Sequence, residues 1–188
     1  MKLLKVDTIQ QVLDKMEYQF RDIKLSTEEI NILEVVGRTA AEEILSQYNI
    51  PDFNRSTVDG YAIVASDTFG VTDSIPVFLD VIGQVEMGKA TNIVINKGQA
   101  AYVPTGGMVP SGADAVIMIE YIEEMDNKTI AAYSATAPGE NIIRIGDDVA
   151  AGASLIHKGK LIKPQDIGAM AAAGIRQINV YEKPRVAV

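Results

Sequence analysis

The sequence predicts an α+β, multi-domain fold: a β-rich, barrel-like domain inserted in a small mixed α/β unit and preceded by an amphipathic helix. Three observations carry this reading. Apolar residues near the amino terminus recur every three or four positions; the middle of the chain consists of short β-branched runs separated by turn residues; and after Gly146 a single helical segment returns, flanked by strand-like runs.

Residues 7–23 place Ile9, Val12, Leu13, Met16, Phe20 and Ile23 on one helical face. Asp7 or Thr8 can cap this helix, with Gln10 or Gln11 at the reciprocal position. From Ser26 to Ser46 the signals compete, because Ser26 and Glu29 resemble a capping box while Ile30, Ile32 and Val35-Val36 suggest a strand. The reading adopted is a strand over 29–35, a helix over 37–43 and a short strand near 44–48. Strands are then expected at Tyr61–Val64, Pro76–Ile82, Asn92–Ile95, Ala101–Val103 and Ala115–Ile119, spaced as in a small barrel or sandwich. Ser154–Ile156 and Leu161-Ile162 flank the polar turn Lys158-Gly159-Lys160. Pro164 suits the first position of a helix running through Gln165–Ala173, Gly174 suits its end, and Arg176–Tyr181 reads as a strand. The domains expected are therefore a helix in 1–25, a mixed unit from 26–50 plus 147–182, and a β-rich insertion at 51–146. A charged, proline-marked boundary at 183–188 runs into Val186-Ala187-Val188, which reads as the start of another strand.

Composition narrows the chemistry. The 188 residues include no Cys and one His, so thiolate nucleophiles, disulfides and multi-histidine metal centres are excluded. A net charge of −8 opposes general nucleic-acid binding, which needs a basic face. No apolar run approaches the ~20 residues that cross a bilayer. The start of the chain is too quickly polar for a signal peptide, so the expected address is cytoplasmic.

Three segments have the residue types that handle ligands. Asn54-Arg55-Ser56-Thr57-Val58-Asp59-Gly60-Tyr61-Ala62 gathers hydroxyls and a carboxylate beside an arginine. Taken alone, its Asp-Gly pair reads as a hairpin corner with the glycine at positive φ; the alternative is a site for an anion or a hydrated Mg²⁺. Thr105-Gly106-Gly107 begins a glycine-rich stretch to Asp114, suited either to a tight connection or to an oxyanion loop. It meets neither nucleotide-binding fingerprint. Gly139-Glu140-Asn141-Ile142-Ile143-Arg144 leads to the paired carboxylates Asp147 and Asp148, either a solvated turn or hard oxygen ligands in a cleft. A hydrolase built on Ser111 or His157 lacks its frame: Ser111 is outside a G-x-S-x-G elbow, and His157 is the only available histidine base.

In order along the chain, the motifs resemble those of the molybdopterin molybdenumtransferase family, the MoeA proteins and the gephyrin E domain. Gly37-Arg38 with Ala41-Glu42 resembles its G-R-x-x-A-E/D segment, and Pro51-x-Phe53-Asn54-x-Ser56-x-x-Asp59-Gly60-Tyr61-Ala62 its P-x-F-D-N-S-A-M-D-G-Y-A stretch. Thr105-Gly106-Gly107-x-x-Pro110-x-Gly112-Ala113-Asp114-Ala115-Val116 follows T-G-A-x-x-P-x-G-A-D-A-V, and Gly139-x-Asn141-Ile142 with Gly146-x-Asp148 follows G-x-N-V…G-E-D. Gly174, Val180 and Pro184-Arg185-Val186-Ala187 complete the series, which covers about four-fifths of the chain. Arg144 is offset by one residue from the family's arginine, which follows N-[IV] directly where this chain has Ile143.

The resemblance implies insertion of molybdate into adenylylated molybdopterin with release of AMP, by a homodimer using Mg²⁺ and contacting other cofactor-biosynthesis proteins. It implies catalytic roles for Asp59, Thr105 and Asp148 and substrate binding by Ser56, Gly106 and Arg144, with no metal ligand assigned. It also implies that 183–188 opens a pterin-binding domain against which the first helix packs, and that residues 1–188 alone are inactive. The alternative is a non-catalytic dimerisation or scaffold module of the gephyrin type.

Overall fold

The computed structural model describes residues 6–185. The expected strand start at Val186–Val188 and the first five residues lie outside the described residues. In chain order the elements are α1 (Ile9–Phe20), β1 (Thr27–Asn31), β2 (Ile44–Leu45), β3 (Arg55–Ser56), β4 (Gly60–Ile63), β5 (Val77–Gln84) and β6 (Gln99–Val103). They continue as β7 (Ala115–Met118), β8 (Ile122–Glu124), β9 (Thr129–Ala132), β10 (Ile142–Ile143), β11 (Ser154–Ile156), α2 (Pro164–Ala172) and β12 (Gln177–Tyr181). This is a mostly β, α+β fold in two compact units. One takes in the described residues up to Ile44 and those from Ser154 onward; the other is Leu45–Ala153.

In the first unit β1 pairs antiparallel with β12, from Thr27 opposite Tyr181 to Asn31 opposite Gln177. Ile32, Val35, Ala40, Ile44, Ile156, Ile162, Met170, Ile178 and Val180 form its core. Helix α2 starts at Pro164 and stops before Gly174, which takes φ 73°. Helix α1 is closed by Thr8 and Gln11, each side chain accepting from the other's backbone N–H at 3.3 and 2.9 Å. Its apolar residues are all exposed.

Two expectations fail here for one physical reason. No helix forms over 37–43, and the strand expected at 29–35 gives way after Asn31 to a 3₁₀ turn at Ile32–Glu34. Backbone donors in this stretch bond to distant segments: Gly37 N–H to the Ile162 carbonyl at 2.9 Å, Ala40 N–H to Lys160 at 3.0 Å and Ala41 N–H to Asn179 at 3.0 Å. Donors committed across the unit cannot close helical turns. The Ser26/Glu29 signal likewise starts no helix, since Glu29 lies within β1.

The second unit is built on a six-stranded mixed sheet ordered β7-β4-β6-β5-β9-β8. All neighbours are antiparallel except β5 and β6. The sheet curls far enough for the Tyr61 hydroxyl on β4 to donate to Glu124 Oε1 on the edge strand β8 at 3.1 Å. Tyr61, Ile63, Leu79, Ile117 and Ile130 fill one face, and Ala62, Val103 and Val116 pack on the other. This alternation is the period of two that a sheet packed on both faces imposes.

Further differences from the expected strands concern length and pairing. The run at Asn92–Ile95 makes only a bridge, Val94 to Ser111, and Leu161-Ile162 only a bridge from Leu161 to Thr39. Strands β8 and β9 are absent from the sequence reading, because Glu123-Glu124 and Ala131-Ala132 have weak strand propensity and are held by their neighbours in the sheet. Gly60 is not a hairpin corner at positive φ. It begins β4, where a β-carbon would lie 2.0 Å from the Ile117 carbonyl oxygen, so it serves close backbone approach. No helix among the described residues is long and apolar enough to cross a membrane.

Candidate functional site

The three polar segments meet within the second unit. The carboxylate of Asp59, one residue before β4, accepts from the Thr105 backbone N–H at 2.8 Å and from the Thr105 hydroxyl at 3.1 Å, both through Oδ1. Strand β3 lies between the other two segments. Ser56 N–H donates to the Gly107 carbonyl at 3.0 Å, Gly106 N–H donates to the Ser56 carbonyl at 2.8 Å, and Ser56 pairs with Ile142 on β10. Asn54 ties the same strand to the third segment, its Oδ1 accepting from Ile145 N–H at 3.0 Å.

The candidate residues divide by role. Ser56 is buried, and its hydroxyl donates to the Val58 carbonyl at 2.6 Å and accepts from the Val58 N–H, so it shapes the loop that presents Asp59. Gly106 takes φ 79°, which allows the turn carrying Thr105 to close on β3. Asp148 bonds Arg55 Nη2 through Oδ2 at 3.1 Å. Arg55 is a further site residue, one that the motifs alone do not single out. Its signal was its position beside Ser56, but only the fold brings Asp148, 93 residues away, into contact with it. With one amine engaged and about a third of its side chain exposed, Arg55 keeps further donors for an anion.

Arg144 lies just beyond β10. Its N–H donates to Asp147 Oδ2 at 2.7 Å, and its guanidinium sits over Gly139, where a β-carbon would come within 2.8 Å of Nη2. Among the described residues it forms no ion pair with Asp59 or Asp148.

A magnesium ion held by these side chains alone does not fit the arrangement. Asp59 Oδ1 accepts two hydrogen bonds and Asp148 is paired with Arg55. No three His, Asp or Glu side chains among the described residues converge on a common point. Nor do the described residues form a nucleophile–base–carboxylate relay. In the first unit, Ser154 Oγ and Glu43 Oε1 both approach His157 Nδ1, at 3.2 and 2.9 Å, so one ring nitrogen meets both and no relay results. Hydrogen bonds from Ser154 and then His157 hold the Glu43 carboxyl below the ordinary carboxylate range.

What remains is a β domain that gathers polar side chains on glycine-bearing loops, inserted in the sequence of a mixed α/β unit. A family described as the MoeA N-terminal region (domain I and II) matches residues 4–174, and the chain belongs to that family. The molybdopterin molybdenumtransferase of Staphylococcus epidermidis is 36% identical over 159 residues, covering 85% of this chain and 38% of the relative. That of Haemophilus influenzae is 33% identical over 181 residues, covering 96% of this chain and 43% of the relative. The solved structure of a molybdopterin biosynthesis MoeA protein from Pyrococcus horikoshii superposes with a TM-score of 0.83 at 37% identity, covering 92% of this chain and 46% of that one. The chain thus spans about two fifths of the length of the curated relatives it matches.

Proposed function

We propose that this chain is the amino-terminal part of a molybdopterin molybdenumtransferase, which inserts molybdate into adenylylated molybdopterin and releases AMP. The observation that carries the reading is the meeting of three separate segments, matched in family order, around β3: Asp59 bonds Thr105, the Ser56 backbone bonds Gly106 and Gly107, and Arg55 pairs with Asp148. Chemistry on two anionic reactants depends on fixed dipoles and cations more than on a nucleophile. Asp59 holds the Thr105 loop in place through the backbone N–H, while the Thr105 hydroxyl can exchange its Asp59 partner for a substrate oxygen. Asp148 orients Arg55, whose remaining donors meet phosphate or molybdate oxygens. Magnesium, a homodimer and a cytoplasmic setting belong to the same proposal; no step is assigned to magnesium on these residues.

The test is substitution in a full-length protein carrying this segment. Asp59→Asn and Asp148→Asn should each lower molybdate insertion on the order of 100-fold, the scale of a misplaced catalytic geometry. Sedimentation should show the assembly state unchanged. Full activity in both variants would favour the scaffold reading.

A further inference from the structure

Strand β9 covers β5 over only part of its length. Their paired residues end with Asp80 opposite Thr129, and the last bond runs from Val81 N–H to the Lys128 carbonyl at 2.7 Å. Beyond it β5 continues through Ile82, Gly83 and Gln84, which belong to the pairing with β6 on one side. On the other side no hydrogen bond among the described residues reaches their backbone. A register shift between Val81 and Gly83 bends the strand at this point. The open edge lines a cleft of about 640 Å³, together with Tyr61 and Tyr102 from the neighbouring strands and Glu124 and Lys128 from the β8–β9 hairpin. The two tyrosine rings pack edge to face, with centroids 5.7 Å apart. The Tyr61 hydroxyl engages only Oε1 of Glu124, and neither Glu124 nor Lys128 forms an ion pair among the described residues.

We propose that the Ile82–Gln84 edge takes up an extended, basic peptide segment of a partner protein as an added strand. A free row of backbone groups is matched by another main chain, and at ~3.3 Å per residue this one offers about 10 Å of pairing. Tyr61 and Tyr102 give alternate side chains of the incoming strand an aromatic surface. Charge selects the partner. The hairpin beside the edge carries Glu123, Glu124 and Asp126 against Lys128, all exposed, on a chain of net charge −8. Lysine or arginine on the incoming segment is therefore attracted, with Glu124 Oε2 the nearest open acceptor in the cleft. A second copy of this chain is a poor occupant, since two acidic hairpins repel and so short an edge resists pairing with itself. An added strand here is independent of the reaction proposed above.

The experiment titrates the ¹⁵N-labelled 188-residue chain, at low salt and up to millimolar ligand, with three end-blocked pentapeptides. One alternates lysine and valine, the second alternates glutamate and valine, and the third is the lysine–valine peptide N-methylated throughout, which cannot donate backbone hydrogen bonds. The amide signals of Ile82, Gly83 and Gln84 and their hydrogen exchange are the readout. The lysine–valine peptide should shift these signals and slow exchange among them, and the other two should bind about tenfold more weakly or less. Replacing both hairpin glutamates, Glu123→Gln with Glu124→Gln, should weaken the lysine–valine response about fivefold while the spectrum elsewhere stays that of the folded parent. No shift at these amides with the lysine–valine peptide would overturn the proposal. So would an equal response from the N-methylated peptide, which would show attraction of charge without strand pairing, an equal response from the glutamate peptide, or an unchanged response in the double variant. Slow exchange at these amides in the free chain that quickens on dilution would identify a second copy as the occupant and overturn it as well.

Discussion

At Gly60 the β4 backbone runs so close to Ile117 that any side chain must displace a neighbouring strand. Gly60→Ala should therefore cost about 2–3 kcal/mol or more, the range of overpacked core positions, seen as a lower urea midpoint with an unchanged slope. The same contact positions Asp59, whose carbonyl accepts from Ile119 N–H at 3.0 Å. The Asp59-Gly60 pair was legible in the sequence as a special dipeptide. The reason for its glycine was not, because the demand comes from a strand more than fifty residues away. Asp166 is the opposite case, since most of its role is local. It accepts from Lys160 Nζ at 2.8 Å and from Lys163 N–H at 2.9 Å, and these bonds, the lysine first, hold its carboxyl below the ordinary carboxylate range. A lowered carboxyl stabilises the fold above the unfolded-state value near ~4 and loses that contribution as pH falls through the folded one. Asp166→Asn should thus be destabilised by about 1 kcal/mol at neutral pH, and the gap from the parent should close in acid denaturation below about pH 4.

Among the elements, α2 was readable because its signals are local: Pro164 at the start and Gly174 beyond the end. Residues 37–43 were misread because their backbone donors are claimed by Ile162, Lys160 and Asn179. Strand β8 was missed for a related reason, as its place in the sheet depends on β9 and on the hydroxyl of Tyr61. Burial first, and then the Glu124 hydrogen bond, push the Tyr61 phenol up to about 12. A raised phenol favours the protonated fold, so its stabilisation is complete below the unfolded value near ~10 and is lost as pH rises through about 12. Alkaline titration of tyrosinate absorbance should show a group ionising near pH 12 that disappears in Tyr61→Phe. That variant should lose about 1 kcal/mol, consistent with one hydrogen bond between β4 and β8.

For the whole molecule, charge and length set the terms. Under the proposed function, a chain with net charge −8 needs cations from elsewhere or sharply placed ones of its own, and Arg55 is the one that a carboxylate, Asp148, pairs with within the candidate site. Because the chain spans about two fifths of its relatives' length, the 188-residue protein supplied with adenylylated molybdopterin and molybdate should release no AMP above background and insert no metal. Turnover measured with the purified chain would overturn that expectation.

The amino-acid sequence alone determined the order of the motifs, the two helices that carry their own start signals, the β-rich texture of the middle and the exclusion of thiolate chemistry. Those properties depend on residue identity and on spacing within a few positions. Only the tertiary structure decided that 37–43 forms bridges, that Asp59 bonds Thr105 across 46 residues and that Asp148 orients Arg55 across 93. Such contacts follow from which strands pair, a choice set by burying one continuous apolar face and satisfying every backbone donor at once.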